Sequence, residues 1–297
     1  MKKQQSAPIH MTQEQLRNVQ LTQLELLCEA RRICEKENIK YNIIAGTLLG
    51  AVRHGGFIPW DDDADIAMLR PEYEKFRIAC QKELDSSQFY FQDHVVTPGY
   101  RWGYGKLRRA NTQFLRNGQE HMPYEQGIFI DIFPLDNVPE SKWRRILHAF
   151  HCTIIRKILW AEVGRKTDAN CFFRFIYEIA SKIPLAMVFA HYDRFMRKYN
   201  QLHSKWVRIL TFPTPNSEHG YLRGWYENSY KYIFEGESFE GIKDHDDYFN
   251  FKFGNWRELP PENQRKTHPV SGLKVCEICE SKFTHQPIFA AAKGGMD

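Results

Sequence analysis

The chain has no apolar run long enough to cross a bilayer. A spanning helix needs about 18 consecutive apolar residues, and the longest candidate, Ile183 to Ala190, is eight residues with Pro184 among them. A secretory leader is not expected either, because Met1-Lys2-Lys3 runs into Gln4-Gln5-Ser6 and then polar sequence rather than an apolar stretch. Cysteine is sparse: seven in 297 residues, an odd number scattered over Cys28, Cys34, Cys80, Cys152, Cys171, Cys276 and Cys279. That pattern excludes a disulfide framework and reads as reduced thiols. The expected location is therefore the cytoplasm. No internal repeat and no low-complexity tract is found, which removes solenoids, collagen and a whole-chain coiled coil from consideration.

The composition is that of a globular protein somewhat rich in aromatics, with 42% hydrophobic, 26% charged and 14% aromatic residues. A chain of this length can bury about 75% of its unfolded surface, so it needs no structural metal merely to fold. The net charge of +5 is unevenly placed. Between Ser141 and Asn200 there are twelve Lys or Arg against four Asp or Glu, a local +8 that leaves −3 for the rest. Such a block attracts anions, whether nucleic acid, acidic lipid head groups or a phosphate-bearing polymer, or else it serves as a solvated helix face.

Apolar residues at Leu16, Val19, Leu24, Leu27, Ala30 and Ile33 recur near the helical period, predicting a helix over Thr12 to Glu37. Tyr41 to Ala45 is β-prone, and Gly46-Thr47 leads into a short helix that Gly55-Gly56 breaks. Asp63 to Met68 alternates charged and apolar residues as a strand does, and Arg70-Pro71-Glu72 opens a helix to about Leu84. Phe89 to Gln92, Tyr104 to Leu107 and Ile128 to Ile132 are further strands, and Ser141 to about Ser204 is helical with a break near Pro184. From Thr214 the sequence reads as loops, with a short helix around Asp246 to Phe253. The expected fold is α/β, with residues 1–140 as a catalytic core carrying an N-terminal helix, and residues 141–297 as a helical region and a loop-rich segment packing on it.

The chemistry is concentrated in Gly46-Thr47-Leu48-Leu49-Gly50, Arg53-His54-Gly55-Gly56 and Pro59-Trp60-Asp61-Asp62-Asp63-Ala64-Asp65. Four carboxylates within five positions repel one another, and a divalent cation relieves that repulsion. Alternation along an extended chain lets Asp61, Asp63 and Asp65 converge while Asp62 points away. An oxygen-only ligand set selects a hard ion, Mg²⁺ or Mn²⁺. Gly46 and Thr47 at a helix start offer backbone N–H groups to a phosphate. Arg53 and Lys106 are natural charge partners for phosphate oxygens, and Asp131 supplies a carboxylate on another strand.

The run from Gly46 to Met68 resembles the signature of the LicD family within the nucleotidyltransferase superfamily, which includes phosphocholine transferases and fukutin-related phosphoribitol transferases. The family's turn is matched by Gly46-Thr47, its Asp-x-Asp by Asp63-Ala64-Asp65, and its third carboxylate by Asp131. Tyr104-Gly105-Lys106-Leu107-Arg108 is similar to a further family segment. Phe253-Gly254-Asn255-Trp256-Arg257-Glu258-Leu259-Pro260-Pro261 with Arg265-Lys266-Thr267-His268 resembles its closing motif, with Asn255 where an acidic residue is usual.

The resemblance implies a nucleotidyltransferase-like mixed sheet flanked by helices. It also implies a magnesium-dependent transferase that moves a phospho-substituent from a CDP-linked donor to a hydroxyl of a glycan or its lipid-linked precursor. Phosphocholine on lipopolysaccharide, teichoic acid or capsule is the first expectation, and phosphoethanolamine or an alditol phosphate the alternative. Asp61, Asp63, Asp65 and Asp131 are the expected metal ligands, with Asp131 also a candidate to activate the acceptor hydroxyl. Gly46, Thr47, Arg53, Lys106 and His268 are expected on the donor. Trp102, Tyr104 and Tyr124 form either a cation–π enclosure for choline or ordinary core. Cys276, Cys279 and His285 are a weak zinc candidate. Peripheral contact with the inner membrane face is expected through some of Arg144, Arg145, Arg156, Lys157, Arg165 and Lys166. A nucleic-acid-binding protein, whose affinity would fall steeply with salt, is the reading from another class. It is disfavoured because the basic block lies outside the carboxylate region and has no recognition motif, so no nucleic acid is expected.

Overall fold

The computed structural model describes residues 9–276. Helix α1 (Gln13–Lys36) starts where a reciprocal cap satisfies two otherwise unpaired donors. The Thr12 hydroxyl accepts from the Gln15 amide at 3.1 Å, and the Gln15 side chain accepts from the Thr12 amide at 3.0 Å. The expected apolar stripe is buried. Gln20 and Gln23 on the same helix donate to the carbonyls of Asp61 and Asp62, at 2.9 and 2.7 Å. Helix α1 therefore holds the backbone of the acidic loop.

The next elements are β1 (Asn42–Ile43), α2 (Ala45–His54), β2 (Asp65–Leu69), α3 (Arg70–Glu83), β3 (Phe89–Gln92), β4 (Gly105–Arg109), β5 (Gln113–Arg116) and β6 (Phe129–Asn137). Then follow α4 (Lys142–Thr167), α5 (Cys171–Ala180), α6 (Leu185–Asn200), β7 (Trp206–Arg208), β8 (Tyr221–Leu222), α7 (Arg223–Glu227), β9 (Ser229–Phe234), β10 (Glu237–Ile242), α8 (His245–Phe253) and β11 (Val270–Lys274). The main sheet runs β3-β4-β6-β2-β1-β10-β9, with β2/β6 and β1/β10 parallel and the other pairs antiparallel; β7 and β8 extend it from the end of β6. Strand β11 pairs with β5 in a separate two-stranded sheet. This is the mixed sheet flanked by helices that the sequence predicted.

Strand β6 lies inside the sheet and is buried along its whole length. Near its end is Asp136, whose two oxygens accept from Arg70 Nε and Nη2 at 2.7 Å each, with Asn200 adding a donor at 2.6 Å. A buried ion pair persists only when its hydrogen-bonding capacity is filled in this way. The bond network ties α3 and α6 to the central strand.

Two expectations change. The segment after Thr214 is not mainly loop, because β9 and β10 form a hairpin that completes one edge of the sheet. Its signal is weak because most of β9 is exposed, Tyr230 and Ile233 included, so no inward-facing run marks the strand. The expected helix near Asp246 does form, as α8. Because Ile43 pairs with Gly241, the sheet is shared across the 140/141 division read from sequence. The basic block also divides. Arg145 is buried and donates to Glu218, Arg165 pairs with Glu162 and Glu178, and Arg156 lines a cavity. Arg145 and Arg165 are thus held by partners and Arg156 and Lys157 line the cavity, whereas Arg144 and Lys166 are exposed.

Candidate active site

Three neighbouring strands place a charged row across the sheet. In register, Asp65 of β2 faces Asp131 of β6, and Asp131 faces Lys106 of β4. Adjacent strands are about 4.8 Å apart, so the two carboxylates cannot avoid each other. The Lys106 ammonium hydrogen-bonds Asp131 and lies 3.3 Å from the centre of the Phe129 ring. Burial pushes Lys106 down to about 7; Asp131 opposes that shift, while Arg116 and Arg108 add to it.

The loop before β2 brings up the other carboxylates. Asp61 lies directly over the first turn of α2: a β-carbon at Gly46 would sit 2.5 Å from Asp61 Oδ2. A side chain there would have to displace the Asp61 carboxylate. Ala45 begins the turn with φ +49°, in the left-handed region that a residue with a side chain rarely adopts. Thr47 is buried, and its hydroxyl accepts from the Asp65 amide at 2.8 Å, which joins the helix start to the strand. First-turn N–H groups lack partners within a helix, so this corner is electropositive next to the acidic cluster.

The cluster resists ionisation. Burial raises Asp61, and the charges of Asp63 and Asp62 raise it further; its carboxyl also hydrogen-bonds that of Asp63. Burial raises Asp65 well above the usual range, assisted by Asp63, Asp131 and Asp61. Asp63 is raised by burial, with Arg116 and His268 opposing. Carboxyls whose charged form is disfavoured in this way are chemically ready to exchange protons for a cation. The all-oxygen set of Asp61, Asp63, Asp65 and Asp131 fits Mg²⁺ or Mn²⁺ in donor chemistry.

Asp62 does not point away from the other carboxylates as the alternation predicted: its carboxylate lies near that of Asp63, and it does a different job. Its carboxylate accepts from the His268 amide at 2.8 Å and meets His268 Nδ1 at 2.7 Å. Asp62, Asp63 and His268 are close enough to form a metal-like triplet. Both Asp62 oxygens are already engaged by His268, however, so we read this pair as a clasp fastening the C-terminal segment to the acidic loop. The His268 ring also comes within 3.8 Å of Asp63.

Beside the carboxylates lies a cavity of about 420 Å³, whose lining includes Lys106, Arg116, Arg101, Arg156, Lys157 and His268. Arg116 was not singled out from sequence. It reaches Asp63 at 3.6 Å, lies over the Phe129 ring at 5.2 Å, and leaves a buried Nε without a partner. Only its place in β5, next to β11, brings it here. Trp102 and Tyr104 line the cavity together with Trp160 and Phe212, whereas Tyr124 packs behind them against Tyr100. The three expected aromatics therefore do not form one enclosure.

Arg53 is not brought to the cluster. It lies on the last turn of α2, about 9 Å along the axis from Thr47 at 1.5 Å per residue, and donates to the Trp256 carbonyl at 2.9 Å. His54 shares that far end of α2. Lys252 of α8, another residue not read from sequence, is close enough to lower Asp65 electrostatically. For the zinc candidate, Cys279 and His285 lie outside the described residues; Cys276 is half-buried.

Comparison with known proteins agrees with this geometry. Residues 38–160 match the family described as LicD/FKTN/FKRP, nucleotidyltransferase domain. The chain is 27% identical over 266 residues to the lipopolysaccharide cholinephosphotransferase LicD of Haemophilus influenzae, covering 86% of this chain and 96% of that protein. Short segments are 46% identical to an uncharacterized protein of Rickettsia typhi and 48% identical to one of Rickettsia prowazekii, over 19% and 18% of this chain and 18% and 20% of theirs. The matched residues 38–160 include Gly46, Thr47, Asp61, Asp63, Asp65, Lys106, Arg116 and Asp131, and it is to the LicD/FKTN/FKRP nucleotidyltransferase domain that this part of the chain is similar.

Proposed function

We propose that the chain transfers a substituted phosphate, phosphocholine first, from a CDP-linked donor to a hydroxyl of a cell-surface glycan or its lipid-linked precursor. The observation that carries this reading is the convergence of Asp61, Asp63, Asp65 and Asp131 beside a helix start and a cationic cavity. A Mg²⁺ ion held by these carboxylates would neutralise donor phosphate charge. Lys106 and Arg116 supply further positive charge, Arg116 as a planar fork suited to phosphate oxygens. The first turn of α2 contributes backbone N–H groups. Asp131, one strand away from Asp65, accepts the proton of the acceptor hydroxyl or holds that hydroxyl in line. His268 closes the site from the C-terminal side.

The relative from Haemophilus is a cholinephosphotransferase, which favours phosphocholine. A second reading, an uncharged head group such as an alditol phosphate, is favoured by the cavity itself. Its walls hold Arg101, Arg156 and Lys157 beside the aromatics and no carboxylate, a poor setting for a quaternary ammonium. The test is nucleotide release from CDP-choline, CDP-ethanolamine and CDP-alditols by purified protein with Mg²⁺. Release from CDP-choline alone supports the first reading, and release from a CDP-alditol alone the second. Release from none of them, with Mg²⁺ or Mn²⁺, overturns both.

A further inference from the structure

Helix α4 has two working sides. One turns Arg156, Lys157 and Trp160 towards the cavity beside the carboxylates. Another carries Trp143, Leu147, Phe150 and Ile154 at helical spacing, and all four are exposed, Trp143 to 78% and Phe150 to 66%. Further along α4, helix α5 packs against its outer side, where Tyr177 meets Gly164 and its hydroxyl accepts from Lys157 at 2.9 Å. Tyr177 is the one buried residue of α5. The other face of α5 presents Phe172, Phe175, Ile176 and Ile179 to solvent, Phe175 at 64%. Exposed Ile183 and Met187 continue this surface into α6. Single exposed apolar residues are ordinary, but exposed apolar stripes on three successive helices mark an interaction surface.

The charges nearby identify the occupant. Arg144, Arg174 and Lys182 are exposed on these elements, while the carboxylates of the block are committed. Glu162 and Glu178 pair with Arg165, Asp193 contacts His94, and Asp168 accepts from the Asn170 amide. Between α4 and α6 an open groove of about 770 Å³ is lined by Arg144, Lys198, His151 and His203 beside Leu147. Its carboxylate, Glu140, accepts from the Lys205 amide. Two copies meeting through this face would oppose like charge. An anionic bilayer matches both features, since lipid tails take the aromatic stripe and phosphate head groups take the basic rim.

We propose that the apolar face of α4, α5 and the start of α6, with its basic rim, is the surface by which this chain lies on an anionic membrane. It does not depend on which head group is transferred. Sedimentation of the full chain with phosphatidylcholine vesicles, or with phosphatidylcholine mixed with phosphatidylglycerol, tests it. Binding is expected with the mixed vesicles and is expected to weaken as salt screens the rim. The double variant F172S/F175S is expected to lose about tenfold or more of that affinity, and R174E/K182E a similar factor. A fluorescence blue shift on mixing with vesicles, absent in W143F, reports burial of α4 without relying on the α5 variants. Equal pelleting with both vesicle types, or none with either, overturns the proposal. So does a concentration-dependent dimer that F172S/F175S abolishes in the absence of vesicle binding, which would assign the face to a second copy.

Discussion

Replacing Asp65 by Asn separates what the acidic cluster does for chemistry from what it costs the fold. In the metal-free protein Asp65 is repelled by Asp131 across one strand spacing and by Asp63 and Asp61 from the loop. Two unit charges about 5 Å apart interact by about 3 kcal/mol at an effective dielectric near 20. The charge of Lys252, which favours the ionised form of Asp65, reduces the net relief, leaving about 2 kcal/mol. A chain of this length gains about 3 °C in Tm from that amount. The sign with pH follows from the raised value. The folded-state pKa of Asp65 lies above its ordinary one, so its destabilising charge is absent at low pH and develops as pH rises through the folded value. Asp65→Asn should therefore melt higher than wild type at pH 8 without metal, and the gap should close towards pH 5. Magnesium should raise the wild-type Tm and leave the variant little changed, and transfer should be lost in the variant. Differential scanning fluorimetry with and without EDTA measures the melting shifts, and nucleotide release measures transfer. A variant that melts lower than wild type in EDTA at pH 8, or one with an undiminished Mg²⁺ shift, would refute the reasoning.

Asp131→Asn is expected to lose turnover with a smaller effect on donor KM, because Asp131 lies on the far side of Asp65 from the helix start; steady-state kinetics with unchanged kcat would remove it from the chemistry. Arg116→Lys keeps the charge but not the fork, so donor KM should rise about tenfold, read from saturation curves, and an unchanged KM would place the donor elsewhere. Asp136→Ala strands the buried Arg70 guanidinium and should cost about 3–5 kcal/mol; urea denaturation showing less than 1 kcal/mol would contradict the role given to that pair.

The acidic loop and the helix start were legible because both are local. The run of Asp61, Asp62, Asp63 and Asp65 marks the acidic loop in the sequence itself, and the Gly46-Thr47 turn foretold where α2 begins. Arg116 and Lys252 were not legible, since nothing in their neighbouring residues marks them. They reach the cluster only because β5 is paired by β11 and because α8 returns to the start of α2. Arg53 misled for the converse reason: it is near Thr47 in sequence, but a helix carries it to the opposite end. The β9–β10 hairpin did leave a trace. Glu235-Gly236, both with positive φ, form the two-residue turn that joins antiparallel strands, and the Tyr-rich flanks suit an edge strand better than a loop.

The pairing of Ile43 with Gly241 and the grip of Asp62 on His268 also constrain the order of assembly. A nascent chain releases α1, β1 and the acidic loop early, yet β1 lacks its neighbour on one side until β10 has been synthesised. The helices α4 to α6 separate the two and can pack on one another first, as local contacts form faster than distant ones. During that interval the unpaired edge of β1 is exposed to other strands, a known hazard in slowly completed sheets. Any protease or chaperone acting on the unfinished chain would meet the carboxylates before the clasp closes over them, because His268 follows Asp62 by 206 residues.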